Sequence, residues 1–426
     1  MSRGLDALGD RFEACFPAGA PGWRTLGREA EFPVVHDDGT AADVRDLLPL
    51  LSRAQPSLRE KREGGMLVAL RNDRVEYTLE VGRGTLEVVV GPAQDLHELQ
   101  ARHEEARAPL LAAAKARGVH VLGYGIQPVT PATASLMTPK ARYGVLLETI
   151  GEPWLWFTLT ASDQVHVSIS RDELVGATNL CNLLAPVTVA LCANSPVFGG
   201  RDCGAASARE HQMGEILADT FRHGMPGAAD ADARALVRRL AEQDLLVLRR
   251  GGEIRAGGGT FSHHLAKLGG PDAPEAWDDF LLHEHYIWNT ARPRSAIGTL
   301  ELRAACQGPL HESGASAALG AGMVCAWREL QTFLDAELGD AAWPTMRRWH
   351  GAVIRHGLAA DEPVPGLIAG ILDRCETALD ARGRSEGRLL APLRRRLAAR
   401  ENPAQAALSA LADGGIRGLV AHAART

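Results

Sequence analysis

Hydrophobic and polar residues alternate over residues 25–35, and this two-residue period predicts a β-strand. Ala30 and Phe32 fall on one side of the strand, whereas Glu29 and Glu31 fall on the other. Two carboxylates therefore project together from one face of the predicted sheet.

The rest of the chain divides into strands in the first three hundred residues and helices that dominate after them. Further strands are predicted at 66–70, 75–81, 85–90, 119–126, 155–170 and 298–304, with a hairpin at 245–255. Helices are predicted at 95–117, 139–150 and 171–193, and the pattern is helical from about residue 312 to the end. Stretches rich in glycine and alanine at 224–234 and 256–274 are predicted to be loops.

These elements predict an α+β fold, in which helices pack around antiparallel strands. We expect residues 1–310 to form the sheet and its packing helices, and residues 311–426 to form a helical region packed on the same domain. The length of 426 residues is ample for a large hydrophobic core.

Composition excludes several classes of protein. The net charge is −6 and the arginines are scattered among acids, so the chain lacks the basic stripe of a nucleic-acid-binding protein. No uninterrupted apolar run approaches membrane-spanning length, and no apolar signal segment is found at the amino terminus. The seven cysteines include no Cys-x-x-Cys pair, which argues against a zinc ribbon or a thioredoxin-type site. We therefore expect a cytoplasmic protein that acts on small molecules, with its oligomeric state left open.

The pair Glu29 and Glu31 has two interpretations. Like charges held side by side inside a fold repel each other, and a bound cation removes the repulsion. The alternative is an exposed edge strand with two solvated acids. Four more polar residues on predicted strands favour the cation: Glu80, Glu87, His166 and Glu301. His166 taken alone is better explained as a hydrogen-bonded core residue, and the four carboxylates beside it make a ligand role competitive.

Five carboxylates with one histidine suit Mg²⁺ or Mn²⁺ better than zinc, because hard cations prefer oxygen ligands. Arg303 follows Glu301 by two residues, so the two side chains share a strand face. Metals that bridge phosphate oxygens beside an arginine would suit phosphoryl transfer from ATP. The chain contains no Gly-x-x-x-x-Gly-Lys-Ser/Thr motif, so we expect ATP to bind on the sheet and not in a P-loop.

Taken in order along the chain, these motifs resemble those of the plant and actinobacterial glutamate–cysteine ligases and of the related bacterial carboxylate–amine ligases. The resemblance spans about residues 27–309. It is carried by Gly27-x-Glu29-x-Glu31-Phe32, Glu80 and Glu87, Arg142-Tyr143 before His166, Ala193-Asn194-Ser195-Pro196 with Gly200-Arg201, Ser207 and Arg209, and His283 with Arg292-Pro293-Arg294 and Glu301-Leu302-Arg303.

The resemblance implies a curved antiparallel sheet of the glutamine-synthetase catalytic type, which holds ATP, metals and substrates on its concave side. It implies two Mg²⁺ or Mn²⁺ sites, one formed by Glu29, His166 and Glu301 and the other by Glu31, Glu80 and Glu87. Catalytic roles are implied for Arg303, Glu31 and Glu87, and ATP binding for Arg303, Lys140 and Arg142. Substrate binding is implied for Arg201, Arg209, His283 and Arg292.

The resemblance also implies an ATP-dependent ligase that joins glutamate to cysteine through an acyl phosphate. Two departures from the family pattern, Cys306 and Ala205–Ala206, lie in segments expected to face the substrate. They leave room for a different acid or amine. A kinase for guanidino or carboxylate groups is one alternative. A non-catalytic homologue is another, and the complete set of acids with His166 and Arg303 argues against it.

Overall fold

A computed structural model describes residues 2–19, 22, 24–216 and 221–425 of the chain. The strands are β1 (Leu26–Val35), β2 (Arg59–Glu63), β3 (Met66–Arg71), β4 (Val75–Leu79), β5 (Thr85–Ala93), β6 (His120–Val121), β7 (Asp163–Ser168), β8 (Val197–Phe198), β9 (Arg201–Asp202), β10 (His223–Gly224), β11 (Val247–Arg250), β12 (Glu253–Ala256), β13 (Trp288–Asn289), β14 (Ala291–Arg294) and β15 (Thr299–Leu302).

The helices are α1 (Ser2–Ala14), α2 (Leu48–Ala54), α3 (Leu96–Arg117), α4 (Ala141–Ile150), α5 (Leu174–Leu183), α6 (Ala185–Cys192), α7 (Ala208–Ile216), α8 (Ala233–Ala241), α9 (Phe261–Leu268), α10 (Ala276–His285), α11 (Ala315–Cys325), α12 (Trp327–Leu338), α13 (Ala342–His356), α14 (Leu367–Asp380), α15 (Ala391–Ala399) and α16 (Pro403–Ala423).

One large antiparallel sheet organises the molecule. Strands β14, β15, β7, β1, β5, β4, β3 and β2 lie side by side in that order, and every neighbouring pair is antiparallel. The short β6 pairs with the far end of β1. Strands β1 and β7 therefore lie inside the sheet, and the predicted α+β class with an antiparallel sheet is confirmed.

The two faces of β1 have different surroundings, as the alternation in the sequence predicts. Ala30 and Phe32 are fully buried in the main hydrophobic core, where Phe32 stacks on His103 of α3 with ring centroids 5.9 Å apart. Helix α3 begins at Asp95, whose side chain accepts a hydrogen bond from the backbone N–H of Glu98. Glu29 and Glu31 project from the opposite face of β1, so one face of the strand packs in the hydrophobic core and the other carries carboxylates.

The helices that close the chain pack on the same core. Helix α11 lies across β7 at such close range that a Cβ at Gly320 would stand 2.3 Å from Val165 Cγ1. Leu319, Val324 and Leu372 belong to the same buried cluster as Val165. Residues from both sides of the predicted boundary at 310 thus share one core, while the division into two regions stays a prediction.

The predicted strand at 155–170 is wrong in its first half. Residues Glu152–Thr158 form a 3₁₀ helix, and β7 begins only at Asp163. Gly151 has φ +84° and Pro153 lies at the start of the helical turn, and both features break an extended chain. The aromatic residues of this segment pack on one another instead of alternating across a sheet.

Other boundaries differ for similar local reasons. The strand predicted at 119–126 is reduced to β6, and a helix, α9, occupies part of the loop predicted at 256–274. The helix predicted at 171–193 is divided into α5 and α6, which meet at 46° just before Pro186. Within the described residues no single helix is long and apolar enough to cross a membrane. The bent pair α5 and α6 would be long and apolar enough when taken together, but its side chains are largely buried in the core.

Candidate active site

The register of the sheet brings the predicted carboxylates together on one face. Glu31 of β1 lies directly opposite Glu87 of β5, and Glu301 of β15 lies opposite His166 of β7. Glu29 is two residues before Glu31 and therefore projects from the same side of β1. Residues far apart in the sequence thus form two adjacent clusters.

The first cluster consists of Glu31, Glu80 and Glu87, each of which offers a carboxylate oxygen within 4.8 Å of the others. Glu31 and Glu87 are each 8% exposed, and Glu80 is half-buried in the turn after β4. Burial and the neighbouring charge of Glu80 raise the pKa of Glu31 to about 7 and that of Glu87 well above its usual range. Three carboxylates crowd one small volume, a donor set that fits a hard divalent cation.

Hydrogen bonds orient the Glu31 side chain within this cluster. It accepts one bond from the backbone N–H of Ser162 at 2.6 Å and another from Nε2 of Gln164 at 2.9 Å. Both donors come from β7 or the turn before it. A neighbouring strand therefore fixes the direction in which this carboxylate points.

The second cluster consists of Glu29, His166 and Glu301, again with ligand atoms within 4.8 Å of one another. His166 lies 3.0 Å from Glu29 through Nε2 and 3.1 Å from the Thr299 hydroxyl through Nδ1. Although burial opposes it, the charge of His166 lowers the pKa of Glu29.

Arginines surround Glu301, which is fully buried. Arg292 donates two hydrogen bonds to its carboxylate at 2.7 and 3.1 Å, Arg294 donates one at 3.3 Å, and Arg303 donates another. Despite the burial, these charges hold the pKa of Glu301 well below its usual range. Guanidinium groups therefore neutralise much of the negative charge of the second cluster, whereas the negative charge of the first cluster has no such partners within it.

A cavity of about 230 Å³ opens over the first cluster and over Glu29 of the second. Its acidic wall contains Glu29, Glu31, Glu80 and Glu87, and its basic residues are Arg142, Arg209, Arg292 and Arg303. Its aromatic wall contains Tyr143, Trp154, Phe157, Tyr286 and Trp288, and Trp154 and Phe157 have ring centroids 4.4 Å apart. Carboxylates, cations and an apolar surface thus meet in one pocket, the arrangement expected of a site for charged small molecules.

The structure separates the predicted binding residues into two groups. Arg142, Arg209 and Arg292 line the cavity, as does Arg303. Lys140 is buried beside it, where its ammonium donates to the backbone carbonyl of Leu79 and burial lowers its pKa to about 8.

Two residues that the resemblance associates with substrate lie outside the cavity. Arg201 is exposed in the β8–β9 hairpin. His283 lies in the core, stacked on Phe261 and bonded through Nε2 to the carbonyl of Leu240 at 2.8 Å. His283 therefore packs as a core histidine, and the structure gives neither residue a position from which to grip a substrate in this cavity.

The departures from the family pattern do not line the cavity. Cys306, Ala205 and Ala206 are all buried, and the Cys306 thiol lies 3.5 Å from the hydroxyl of Ser195. Cys306 nevertheless pairs with Ser162, a residue of the cavity wall, so the expectation that these positions face the substrate stays a prediction.

Several residues of the cavity wall were not predicted. Ser162, Gln164, His223 and His285 line the cavity together with the aromatic residues. The run Trp154-Leu155-Trp156-Phe157 is visible in the sequence as an aromatic concentration, whereas the two-residue strand that carries His223 has no pattern by which to find it.

Comparison with known proteins identifies the family of the chain. The sequence profile described as Glutamate-cysteine ligase family 2 matches residues 25–422. A glutamate–cysteine ligase of Halobacterium salinarum is 30% identical over 283 residues, covering 66% of this chain and 63% of that protein. A Thermobifida fusca protein named as a candidate glutamate–cysteine ligase 2 is 30% identical over 199 residues, 45% of each chain. The matches thus span less than two thirds of either relative.

Solved structures share the fold at low identity. A glutamate–cysteine ligase from Francisella tularensis in complex with AMP superposes with a TM-score of 0.52 and 11% identity, covering 96% of this chain and 88% of that one. A bifunctional glutathione synthetase from Pasteurella multocida gives a TM-score of 0.51 and 13% identity, covering 98% of this chain and 52% of that one. The profile spans nearly the whole described chain, and the chain belongs to glutamate–cysteine ligase family 2.

Proposed function

We propose that this protein is an ATP- and Mg²⁺-dependent ligase that joins a carboxyl group of L-glutamate to the amine of L-cysteine through an acyl phosphate. The observation that carries the proposal is the meeting of the Glu31–Glu80–Glu87 cluster with Arg209 and Arg303 in one cavity, in a chain of this family. Carboxylates that hold divalent cations beside arginines suit phosphoryl transfer from a nucleotide.

The two clusters fit divalent cations unequally. Glu31, Glu80 and Glu87 supply hard oxygen ligands whose mutual repulsion a cation would relieve. Glu29, His166 and Glu301 offer a mixed donor set, and Glu301 is already engaged by Arg292 and Arg303. Bound Mg²⁺ would neutralise phosphate oxygens and stabilise the charge that develops during phosphoryl transfer. We assign the tighter cation to the three-glutamate cluster.

Arg303 is the residue we assign to the transferring phosphoryl group. Its guanidinium donates to the side chains of Gln164 and Glu301, so it is held in place before any substrate arrives. Arg209 donates to the backbone carbonyl of Arg303 at 3.0 Å and lines the same cavity, where it suits a phosphate or a substrate carboxylate.

Arg142 stands on the other side of the cavity, against the aromatic wall. Its guanidinium donates to the Tyr143 hydroxyl at 3.0 Å, and its Nε is buried without a hydrogen-bond partner among the described residues. A buried donor of this kind is satisfied by an anionic ligand. We therefore keep Arg142 as a ligand for ATP or for the acid substrate, and leave Arg201 and His283 out of the site.

The aromatic wall would keep water away from the acyl phosphate intermediate. An acyl phosphate is lost to hydrolysis when water reaches it, so the cavity must exclude water while the amine arrives. Phe157 packs between Trp154 and Trp288, with ring centroids 4.4 and 4.8 Å away. These rings cover one side of the cavity with apolar surface, and burying both substrates there holds them in position to react.

The first test measures ADP release with ATP, Mg²⁺ and L-glutamate, with and without L-cysteine. We expect release that needs both amino acids and is lost in Glu31→Gln. Glu253→Gln, a matched change in an exposed strand, should keep full activity.

Other outcomes separate the alternatives. Full ADP release with glutamate alone would indicate a carboxylate kinase. Activity that appears only when another acid or amine replaces glutamate or cysteine would overturn the substrate assignment and keep the ligase class. Failure to bind ATP in the presence of Mg²⁺ would overturn the proposal as a whole.

A further inference from the structure

The proposed ligation requires a proton acceptor, and the inference in this section rests on the proposed function. An amino acid carries its amine as an ammonium group at neutral pH, and that group has no lone pair with which to attack a carbonyl carbon. A side chain in the cavity must therefore take one proton before or during attack. The cavity wall allows the candidates to be compared one by one.

Most of the ionisable groups that line the cavity are already committed. Glu29, Glu31, Glu80 and Glu87 belong to the two clusters assigned to cations. The phenols of Tyr143 and Tyr286 also line the cavity, and burial raises the pKa of both, so they remain protonated and cannot accept. The two imidazoles of the wall, His223 and His285, are left to compare.

The hydrogen bond to Arg294 decides the tautomer of His285. Nη2 of Arg294 lies 3.1 Å from Nδ1 of His285. A guanidinium group has only N–H donors, so Nδ1 must be the accepting nitrogen, and the proton of the neutral ring sits on Nε2. Burial and the charges of Arg294 and Arg292 hold the pKa of His285 well below its usual range. One nitrogen is occupied and the other already carries a proton, so His285 is a hydrogen-bond donor.

The ring of His223, unlike that of His285, makes no hydrogen bond with a described residue that would fix its tautomer. It lies in β10, paired with Trp288 of β13, and its imidazole lines the cavity. Among residues 2–19, 22, 24–216 and 221–425, no group hydrogen-bonds that ring. One nitrogen of the neutral imidazole is therefore available to accept a proton from a ligand in the cavity.

Burial and the surrounding charges disfavour a protonated His223. Burial, together with the charges of Arg209 in α7, Arg303 beyond β15 and His350 in α13, holds the pKa of His223 well below its usual range. Phosphate and carboxylate groups bound at Arg209 and Arg303 would compensate those charges and make the imidazole a stronger base. The ring would then gain proton affinity when the anionic substrates are in place.

We propose that His223 accepts the proton that the amine loses as it attacks the acyl phosphate. The nitrogen lone pair forms the C–N bond, and the C–O bond to phosphate breaks with its electron pair on the departing phosphate oxygen. One proton of the ammonium group goes to the imidazole, and the second nitrogen proton leaves with the phosphate. The products are the amide, phosphate and a protonated His223, which releases its proton to water.

The test compares two amines that differ in their need for a base. Hydroxylamine is largely unprotonated at neutral pH, so it traps the acyl phosphate as a hydroxamate without help from a base. We would measure ATP-dependent hydroxamate formation from L-glutamate, and in parallel ligation of L-cysteine, in the wild type and in His223→Gln. We expect the variant to keep the hydroxylamine reaction and to lose about 10²-fold or more in the cysteine reaction.

Two further measurements distinguish proton transfer from a structural role. The cysteine reaction of His223→Gln should recover as the pH rises toward the pKa of the amine, and added imidazole should partly restore the activity of His223→Ala. His120→Gln is the matched control, because His120 is an exposed partner of Asp37 outside the cavity, and both of its reactions should be unchanged.

The outcomes separate the two proposals. Equal losses in the hydroxylamine and cysteine reactions, or no loss in either, would overturn the role of His223 while the ligase function stands. A wild-type protein that makes neither hydroxamate nor amide from glutamate would overturn the proposed function itself, and the role of His223 with it.

Discussion

Arg28 and Asp163 form a buried bidentate ion pair on the face of the sheet opposite the carboxylate clusters. Nε and Nη2 of Arg28 lie 2.6 and 2.8 Å from the two oxygens of Asp163, and both side chains are at most 3% exposed. The hydroxyl of Ser316 in α11 also donates to Asp163. The pair links β1 to β7, so it holds together the two strands that carry Glu29, Glu31 and His166.

Removing one partner should therefore be costly. We expect Asp163→Asn to lower the free energy of unfolding by about 3–5 kcal/mol, because the Arg28 guanidinium would be left buried without its counter-charge. Denaturant unfolding measures the change. The double variant Arg28→Met, Asp163→Leu should recover much of the loss, since it leaves no isolated charge. A double variant as unstable as the single one would contradict the ion-pair explanation.

Divalent cations should stabilise the protein through the three-glutamate cluster. Saturating Mg²⁺ or Mn²⁺ at about 100 times its dissociation constant would add about 2.7 kcal/mol to the free energy of unfolding. Glu87→Gln should lose most of this gain, because it removes a carboxylate ligand. Without metal the variant should be at least as stable as the wild type, since glutamine cannot take up the negative charge that burial and Glu80 disfavour at this position.

Thermal unfolding with and without Mn²⁺ checks both effects of Glu87→Gln. Glu253→Gln, in the exposed strand β12, is the control and should respond to the metal like the wild type. A full metal response in Glu87→Gln would show that the cation binds elsewhere.

The turn between β4 and β5 has no room for a side chain at Gly82. A Cβ at this position would lie 1.9 Å from the backbone oxygen of Thr158. Gly82→Ala must therefore displace either the turn that separates Glu80 from Glu87 or the 3₁₀ helix at Glu152–Thr158. We expect a destabilisation of about 1–3 kcal/mol and weaker metal binding.

Gly144→Ala is the matched control for Gly82→Ala. It lies in α4 with open space around its Cβ, and should stabilise the protein by about 0.5–1 kcal/mol. Calorimetry with metal titration measures both variants. Equal behaviour of the two alanine variants would contradict the steric argument.

His103 should make the stability fall in acid. Both ring nitrogens are buried without hydrogen-bond partners among the described residues, and burial holds the pKa of His103 well below its usual range. Below about pH 6.5 the unfolded chain binds a proton at this residue, whereas the folded state does not. The free energy of unfolding therefore falls as the pH falls.

The loss amounts to about 1.4 kcal/mol per pH unit below that value. His103→Leu removes the effect, so the free energy of unfolding should decline less between pH 7 and pH 5 in the variant. Urea unfolding at the two pH values measures the difference. The same decline in both proteins would show that His103 is protonated in the folded state.

Strand β1 was predictable because polar and apolar residues alternate along it. The residues of β1 separate into a core face and a carboxylate face without reference to any other segment, and the seven-residue spacing of Glu80 and Glu87 places them on either side of one turn. Hydrophobic burial on one face fixes such a register, so the shared face of Glu29 and Glu31 could be inferred from local pattern, whereas the division of the ligands into two clusters was implied by the family resemblance.

The remaining parts of the site depend on packing between distant segments. The 3₁₀ helix at Glu152–Thr158 has the apolar content of a strand, and its aromatic residues pack on distant segments through contacts such as that of Phe157 with Trp288. Arg201 and Arg209 both follow the same motif in the sequence, yet one is exposed in a hairpin and the other faces the cavity. Sequence spacing cannot distinguish positions that tertiary contacts decide.

A consequence follows from Glu29 and Glu31 sharing a single strand. Each of the two glutamates contributes to a different cluster. Two residues of extended chain span about 6.6 Å, so the backbone of β1 fixes the distance between the clusters. Loops, α7 and β10 can then vary without altering that separation. The fold therefore keeps the distance between the two proposed cation sites independent of the surfaces proposed to contact the acid and the amine, so that changes in those surfaces would leave the spacing of the two carboxylate clusters unchanged.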